Sequence, residues 1–337
     1  MSAVLSDLVP LRDTSRWPGY DQIQIIPRVY GRARISPLRY NEAGTLFVLA
    51  DHALAGVDAV TLDGISLPGW CWRNGTDLTG HGVAFLQLAA PPPSGAVLAA
   101  EVRGLDGNPA AIINDLYPRS DLQYFEVWCR NAGLELGGAL AEPMTLRAAL
   151  QFVVQQAGAA WSTGMAGFAV PFPPPTTGPL VATLGPLDLA DWSASCELTT
   201  LVTRLTVPFD WDYAAGKARQ SVILEAAAAM LTHGERPSEL ALPWVREARQ
   251  AAAIATAWLQ WRARPLWTVR GSIGVQYRPL QPGGWISLNH PRLPVSGEYV
   301  IMDVDPGYGR GSVVLTAQAP AGMTPDVTLL QLGEAFD

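Results

Sequence analysis

Short segments typical of β-strands occupy two separate parts of this sequence, and a helical part lies between them. In residues 22–105 and again after residue 195, apolar runs alternate with turn residues such as Asp-Gly, Asn-Gly and Pro-Gly-Gly. Runs bounded in this way favour antiparallel strands joined by hairpins. Residues 106–194 instead show apolar residues at helical spacing. The sequence therefore predicts a mainly β (α+β) fold, in which two β-barrel or tube-like domains flank a small helical domain.

Domain boundaries are predicted where the pattern changes. Residues 1–21 have little periodicity and are expected to be an arm that is ordered only if something docks it. The first β domain is placed at 22–105, and the helical insert with its proline-rich loop at 106–194. The second β domain is placed at 195–337. Within it, 198–209 is expected to be a strand, and 220–231 either a strand continuing into a helix or a helix alone.

One alanine-rich segment, 243–263 (PWVREARQAAAIATAWLQWRA), is predicted to be a helix that covers this second β domain. Ala251, Ile254, Trp258 and Trp261 recur at helical spacing, and Pro265 ends the run. Alanine allows close approach to a flat partner, while tryptophan buries a large area. The favoured interpretation is packing on a β-sheet of the same domain. The alternative is an interface helix in an oligomer.

Composition excludes several classes of protein. No run of about 18 apolar residues is present, so no membrane-spanning helix is expected. The net charge is −7 and no basic stripe occurs, which disfavours nucleic-acid binding. Only 16% of residues are charged although 12 are tryptophan, a balance that fits surfaces buried against other chains. The cysteines, Cys71, Cys129 and Cys196, are far apart and are expected to be buried free thiols.

No constellation of residues predicts catalysis, a bound cofactor or a metal. The histidines lack any metal-ligand spacing; they are His52, His81, His233 and His290. Two D-x-D pairs, Asp210/Asp212 and Asp303/Asp305, would place carboxylates on one face of a strand, as a metal site or a glycosidase requires. Aspartate is also favoured next to turns, and this structural interpretation is preferred for both pairs. The predicted sets of catalytic, cofactor-binding and metal-binding residues are therefore empty.

The order of segments resembles that of baseplate or tail-tip hub proteins of long-tailed bacteriophages (siphophage tail proteins). The resemblance spans most of residues 22–320. The segments that carry it are 25–32 (IIPRVYGR), 91–95 (PPPSG), 101–104 (EVRG), 112–116 (IINDL), 205–208 (LTVP), 211–213 (WDY), 264–267 (RPLW) and 280–288 (LQPGGWISL). Some related hubs carry a cysteine-rich iron–sulfur segment or a lytic domain. This chain has neither pattern, so the resemblance implies no cofactor and no enzymatic activity.

The resemblance implies a structural role in the virion. Such hubs form a ring of three subunits whose two β domains adapt the six-fold tail tube to three-fold distal parts. The expected partners are further copies of the chain, a distal tail or tube protein, a central fibre or tip protein and a tape measure protein. DNA would pass through the lumen without specific binding, repelled by the acidic balance. The N-terminus lacks the pattern of a secretory signal, so synthesis in the bacterial host cytoplasm is expected.

Two alternatives remain open at the level of sequence. Trp70 and Trp72 flank Cys71 and are candidates for an aromatic sugar platform, which would make the chain a carbohydrate- or receptor-binding tail module. The less favoured alternative is a glycoside hydrolase that uses Asp210 and Asp212.

Overall fold

The computed structural model describes residues 6–17, 23–118, 122–162, 168–171, 180–289, 297–305, 312–320 and 327–334. The described N-terminal part of the chain forms the strands β1 (Arg28–Tyr30), β2 (Arg32–Ile35), β3 (Leu38–Arg39), β4 (Leu46–Ala50), β5 (Gly56–Leu62), β6 (Ile65–Ser66), β7 (Trp70–Thr76), β8 (Gly82–Leu88) and β9 (Leu98–Arg103). A short 3-10 helix, Thr14–Arg16, precedes them.

The middle of the chain is mixed. In chain order it forms α1 (Pro109–Leu116), α2 (Gln123–Asn131), β10 (Gly138–Leu140), α3 (Leu146–Gln156), β11 (Ala159–Ser162), β12 (Phe168–Pro171), β13 (Leu180–Leu184) and β14 (Leu189–Glu197). Thr145 is the N-cap of α3, since its hydroxyl accepts from the Ala148 N–H at 3.2 Å. Most of the proline-rich segment, 172–179, lies outside the described residues.

The C-terminal part consists of β15 (Arg204–Asp212), β16 (Lys217–Glu225), α4 (Ala227–His233), β17 (Pro237–Glu239), α5 (Ala248–Arg262), β18 (Leu266–Gly274), a 3-10 helix at Val275–Tyr277, β19 (Trp285–Leu288), β20 (Gly297–Asp305), β21 (Ser312–Pro320) and β22 (Thr328–Glu334). The strand predicted at 198–209 begins later, at Arg204. In the 220–231 region, the expectation of a strand continuing into a helix is confirmed by β16 and α4.

The mainly β class is confirmed, but the described strands form open sheets and no barrel closes among them. The largest sheet runs β22-β16-β15-β2-β9-β5-β6, with β17 also paired to β15. It therefore contains strands from both β regions. A second sheet runs β13-β19-β20-β21-β18-β14, and a third runs β3-β4-β8-β7.

The predicted boundary at residue 195 falls inside β14. Both β13 and β14 belong to the sheet of β18–β21, because β13 pairs with β19 and β14 pairs with β18. The helical insert also contributes β10, which pairs with β1. The sequence pattern did not show these pairings, since they join segments that are far apart in the chain.

The predicted covering helix is present, but it begins at Ala248 and not at Pro243. The chain before it makes a turn at Pro243-Trp244, which the bond from the Val245 N–H to the Leu242 carbonyl closes. This turn is bonded to β15: the Pro243 carbonyl accepts from the Trp211 N–H and the Val245 carbonyl from the Asp210 N–H. These bonds keep Pro243 out of a helical first turn. The helix α5 contacts β15 and β16, so packing on a sheet is confirmed. Ala251 is fully buried on that face.

The described part of the predicted arm, 6–17, is docked on its own chain. The Val9 N–H donates to the Met144 carbonyl, and the Leu146 N–H donates to the Asp7 carbonyl. Val9 joins the core around the helices, and Trp17, 4% exposed, joins a smaller core under β4 and β8. The docking partner is therefore the segment that leads into α3.

A charged cluster at the junction of the two β regions

The two β regions meet where β2 lies beside β15 in the largest sheet. This contact has a single residue pair in register, Arg34 opposite Asp212, in parallel orientation. The next residue, Tyr213, adds one backbone bond, because its N–H donates to the Arg34 carbonyl at 3.0 Å. With so few backbone hydrogen bonds between them, β2 and β15 must be held together mainly by side-chain contacts.

Arg34 and Asp212 form the first ion pair across this junction. The Arg34 Nε lies 2.7 Å from the Asp212 Oδ2, and the two side chains are only 15% and 11% exposed. The Arg34 Nη2 donates to the Thr61 hydroxyl at 2.7 Å, which fixes the guanidinium toward β5. The Asp212 Oδ1 accepts from the backbone N–H groups of Ala214 and Ala215. The Asp212 carboxylate is therefore fully engaged by its neighbours.

Glu101 on β9 is the centre of the arrangement, because three arginines surround its carboxylate. Its Oε1 lies 3.2 Å from the Arg219 Nη1 and 3.6 Å from the Arg34 Nη1, and its Oε2 lies 3.2 Å from the Arg246 Nη2. These arginines come from β16, from β2 and from the extended segment before α5. The carboxylate thus joins strands of both β regions to that segment.

Asp210 completes the charged cluster, which we define as Arg34, Glu101, Asp210, Asp212, Arg219 and Arg246. The Asp210 Oδ1 lies 2.7 Å from the Arg246 Nε, and its side chain is 5% exposed. Its backbone has a φ of 58°, a left-handed conformation that aspartate tolerates better than most residues. The cluster contains equal numbers of arginines and carboxylates, so it is neutral as a whole.

This geometry bears directly on the glycoside hydrolase alternative. The β15 strand brings Asp210 and Asp212 into one charged cluster, but each carboxylate pairs with a guanidinium and is largely buried. A glycosidase needs carboxyl groups that flank a bound sugar. Asp212 instead joins β15 to β2, and Asp210 joins β15 to the segment before α5, so both pairs are structural contacts within the fold.

An aromatic junction beside the cluster was missed by sequence reasoning. The Tyr213 hydroxyl accepts from the Trp244 Nε1 at 2.7 Å and from the Ala139 N–H at 3.1 Å. Burial raises the pKa of Tyr213 to about 12. The Trp244 ring lies directly over Gly138, where a Cβ atom would meet ring atoms at 2.3 Å. The Gly137-Gly138 pair was the available signal, because adjacent glycines often mark close approach of another element.

A second polar group lies at the start of the first β region. Asp115 on α1 accepts from the Arg28 Nη2 at 2.9 Å and from the Tyr30 hydroxyl at 2.6 Å. Asp51 is 4% exposed nearby, and burial raises the pKa of its carboxyl against the opposing charges of His52 and Arg28. These residues tie β1 to α1 and to the loop after β4.

The other residues considered as possible metal or catalytic groups lie in different parts of the fold. His52 accepts from the Val29 N–H at 3.0 Å, and His290 lies outside the described residues. Asp303 and Asp305 lie on β20 and are exposed. Within the described ranges, no group of three or more His, Cys, Asp and Glu is arranged to hold a metal ion.

Trp70 and Trp72 lie on one face of β7, two residues apart. Both side chains are half-buried and pack against the core formed by residues of β2, β4, β5, β8 and β9. Cys71, between them, is exposed, as is Cys196. The expectation of buried thiols is therefore wrong for these two cysteines and confirmed for Cys129, whose pKa burial raises to about 12.

An open cleft of about 850 Å³ lies between the insert and α5. Its lining includes the apolar residues Trp128, Ala253 and Ile254 and the charged residues Glu247 and Arg249. The volume is in the range of small-molecule sites.

In the described part of the chain, no helix has the length and apolar content to cross a membrane.

Comparisons with known proteins support the tail-protein resemblance at the level of fold. No protein-family model matches the chain, and no curated protein matches it. A chain in the virion of the native gene transfer agent particle has a similar structure, with a TM-score of 0.56 and 18% identity over 94% of this chain and 90% of that chain.

Two tail proteins are more distant. The tail protein from Neisseria meningitidis MC58 gives a TM-score of 0.42 and 13% identity over 87% of this chain and 95% of that chain. The 43 kDa tail protein of prophage MuSo2 from Shewanella oneidensis gives a TM-score of 0.38 and 11% identity over 93% of this chain and 98% of that chain. This chain therefore shares its fold with a chain of a virion particle.

Proposed function

We propose that this chain is a non-enzymatic structural component of a phage-like tail tip, acting as a hub in a ring of three copies. The observation that carries the proposal is the similarity of fold to a virion chain over 94% of this sequence. A match of that extent leaves little of the chain for an additional catalytic domain.

The charged cluster supports a structural role. Its most buried carboxylates, Asp210 and Asp212, pair with guanidinium groups of the same chain. The contacts that join the two β regions in one sheet are those of Asp212 with Arg34 and of Glu101 with Arg219 and Arg246. A ring component needs such fixed geometry, because an error in the angle between its two β regions would prevent the ring from closing. On this proposal the two ring-forming units are the β region at 22–105 and the β region of 195–337, and β13 and β14 join the second unit through their pairing with β19 and β18.

Partners and location follow from the same proposal. The ring would lie at the tail tip or baseplate of the virion, after synthesis in the bacterial host cytoplasm. It would contact a distal tail or tube protein above, a central fibre or tip protein below and the tape measure protein inside. The net charge of −7 favours a lumen that lets DNA pass without binding it.

Light scattering coupled to size exclusion tests the ring directly. We expect a particle with about three times the chain mass of 36.1 kDa, and three-fold ring views in negative-stain images. A chain that stays monomeric at all accessible concentrations and is absent from purified particles would refute the proposal.

A further inference from the structure

The C-terminal strand β22 leaves one side of the largest sheet open. Among the described strands β22 pairs only with β16, so the backbone groups on its other side have no strand partner. Three of its seven residues are half-exposed leucines: Leu329 is 48% exposed, and Leu330 and Leu332 are each 49% exposed. A strand edge of this kind is a template for pairing with another chain.

The apolar core under this sheet continues out to the open edge. Leu329 lies opposite Leu224, and Leu332 lies opposite Val222, so each pair shares one face of the sheet. Leu224 and Val222 are buried in the large core with the helices, at 1% and 0% exposure. The two leucines of β22 therefore extend a core layer that the described chain leaves uncovered on one side.

A second open edge lies on the sheet of β18–β21. There β13 pairs only with β19 among the described strands. Leu180 and Val181 are 48% and 52% exposed, while Leu184 at the other end is fully buried in the core of that sheet. Like β22, β13 is therefore an edge strand with half-exposed apolar side chains and no strand partner on one side among the described strands.

The other edges of the three large sheets are protected in the usual ways. Short length or charge discourages pairing at an edge. The strands β3 and β6 have two residues each, and β7 carries Arg73. The strand β14 carries Asp191 and Glu197 and is mostly exposed. By contrast, β13 has no charged residue, and the first six residues of β22 have none.

We infer that β22 of one copy pairs with β13 of the next copy, which joins the two sheets across the subunit boundary. This inference rests on the proposed ring and names the contact that closes it. Pairing of β22 with β13 occupies both open edges at once in a head-to-tail contact, and such a contact forms a closed ring when the rotation from one copy to the next completes a full turn. Pairing of β22 with its own equivalent would leave every β13 edge open.

Cysteine crosslinking between differently tagged copies tests the contact. In a Cys71→Ser/Cys196→Ser background, one chain carries Leu330→Cys and the other carries Val181→Cys. The two chains are produced together and treated with a bis-maleimide that has a short flexible spacer. We expect a covalent product that contains both tags.

Three outcomes separate this inference from the proposed function. The matched control replaces the Leu330 change with Leu78→Cys, which is 71% exposed in the turn between β7 and β8 and is expected to give no mixed product. A particle of ring mass without the mixed product would overturn the strand pairing and leave the ring. A permanent monomer would overturn both. Crosslinking of Leu330→Cys chains to each other alone would show pairing of β22 with itself, which also overturns the inference.

A lysine variant gives a second measurement that does not depend on crosslinking. Leu332→Lys places a charge on the open edge, and we expect the concentration for half-dissociation of the ring to rise about tenfold or more. Leu78→Lys adds the same charge elsewhere and is expected to leave it unchanged. Equal effects of the two variants, with thermal unfolding unaltered, would count against the contact.

Discussion

Replacement of Arg34 by methionine should destabilise the fold far more than replacement of an exposed arginine in a similar ion pair. Methionine keeps an unbranched apolar side chain at the junction but removes the positive charge. It leaves the Asp212 carboxylate, 11% exposed, without its arginine. It also takes one of three arginines away from Glu101. The single register pair between β2 and β15 offers little backbone bonding to compensate.

The magnitude follows from burial, and the chain offers a matched control. Removing one partner of a buried ion pair costs about 3–5 kcal/mol, because the remaining charge is left uncompensated. Arg103 and Asp58 form a pair of the same residue types at 2.9 Å, but with side chains 47% and 41% exposed. Exposed pairs contribute about 0–1 kcal/mol, so Arg103→Met should cost less than about 1 kcal/mol.

Urea unfolding at pH 7, followed by tryptophan fluorescence and far-ultraviolet circular dichroism, measures both variants. Agreement of the two probes and an unchanged m-value would show that the free energies can be compared. A double-mutant cycle with Asp212→Asn should give a coupling energy of about 0.5–3 kcal/mol between the two residues. Equal costs for Arg34→Met and Arg103→Met, or zero coupling, would refute the idea that the cluster joins the two β regions.

Three further predictions follow from the junction and from the tryptophans. Gly138→Ala should lower the free energy of unfolding by about 1–3 kcal/mol, because the added Cβ would lie 2.3 Å from the Trp244 ring. As a control, the Cβ of Gly82→Ala enters open space and should leave the melting temperature within about a degree or two of that of the parent protein. The pKa of Tyr213 is raised from 10.0 to about 12 in the folded state. Its contribution to the free energy of unfolding is therefore complete below pH 10 and is lost as the pH rises toward 12. In that window the free energy of unfolding should fall by about 1.4 kcal/mol per pH unit, and Tyr213→Phe should remove this fall. Trp72→Ala should lower the melting temperature through lost core contacts and leave glycan-array binding unchanged; glycan binding lost at an unaltered melting temperature would favour the receptor-binding alternative.

Elements with local signals were predicted well from the sequence. Asn108 caps α1 and Thr145 caps α3 through side-chain bonds to residues two or three positions ahead, so both helix starts can be recognised in a short window. The burial of Ala251 and Ala255 in α5 follows from their spacing of four residues. The start of α5 was predicted five residues too early, because the bonds that hold the carbonyl groups of Pro243 and Val245 outside a helix come from β15, more than 30 residues away.

The charged cluster shows why site chemistry is harder to predict than fold. The spacing of Asp210 and Asp212 indicated two carboxylates near one another, and the structure brings both into one cluster. The same spacing serves a catalytic pair and a structural one equally well. What decides between them is the arginine that faces each carboxylate, and Arg34 is 178 residues from Asp212 in the chain. Sequence distance of that kind carries no local pattern.

The open sheets extend the same reasoning to barrel closure. Short strands with turn residues between them are typical of barrels and of open sheets alike, because closure depends only on whether the first and last strands of a sheet meet. In the described chain they do not: β22 and β6 end the largest sheet, and β13 and β14 end the next. The exposed leucines of β22 and the exposed Leu180 and Val181 of β13 are what a sheet would show if its neighbouring strand belonged to another molecule. On the proposed pairing of β22 with β13, the tube-like character predicted for a single chain would belong to the assembled ring, and the edges of one copy would be completed by the edges of the next.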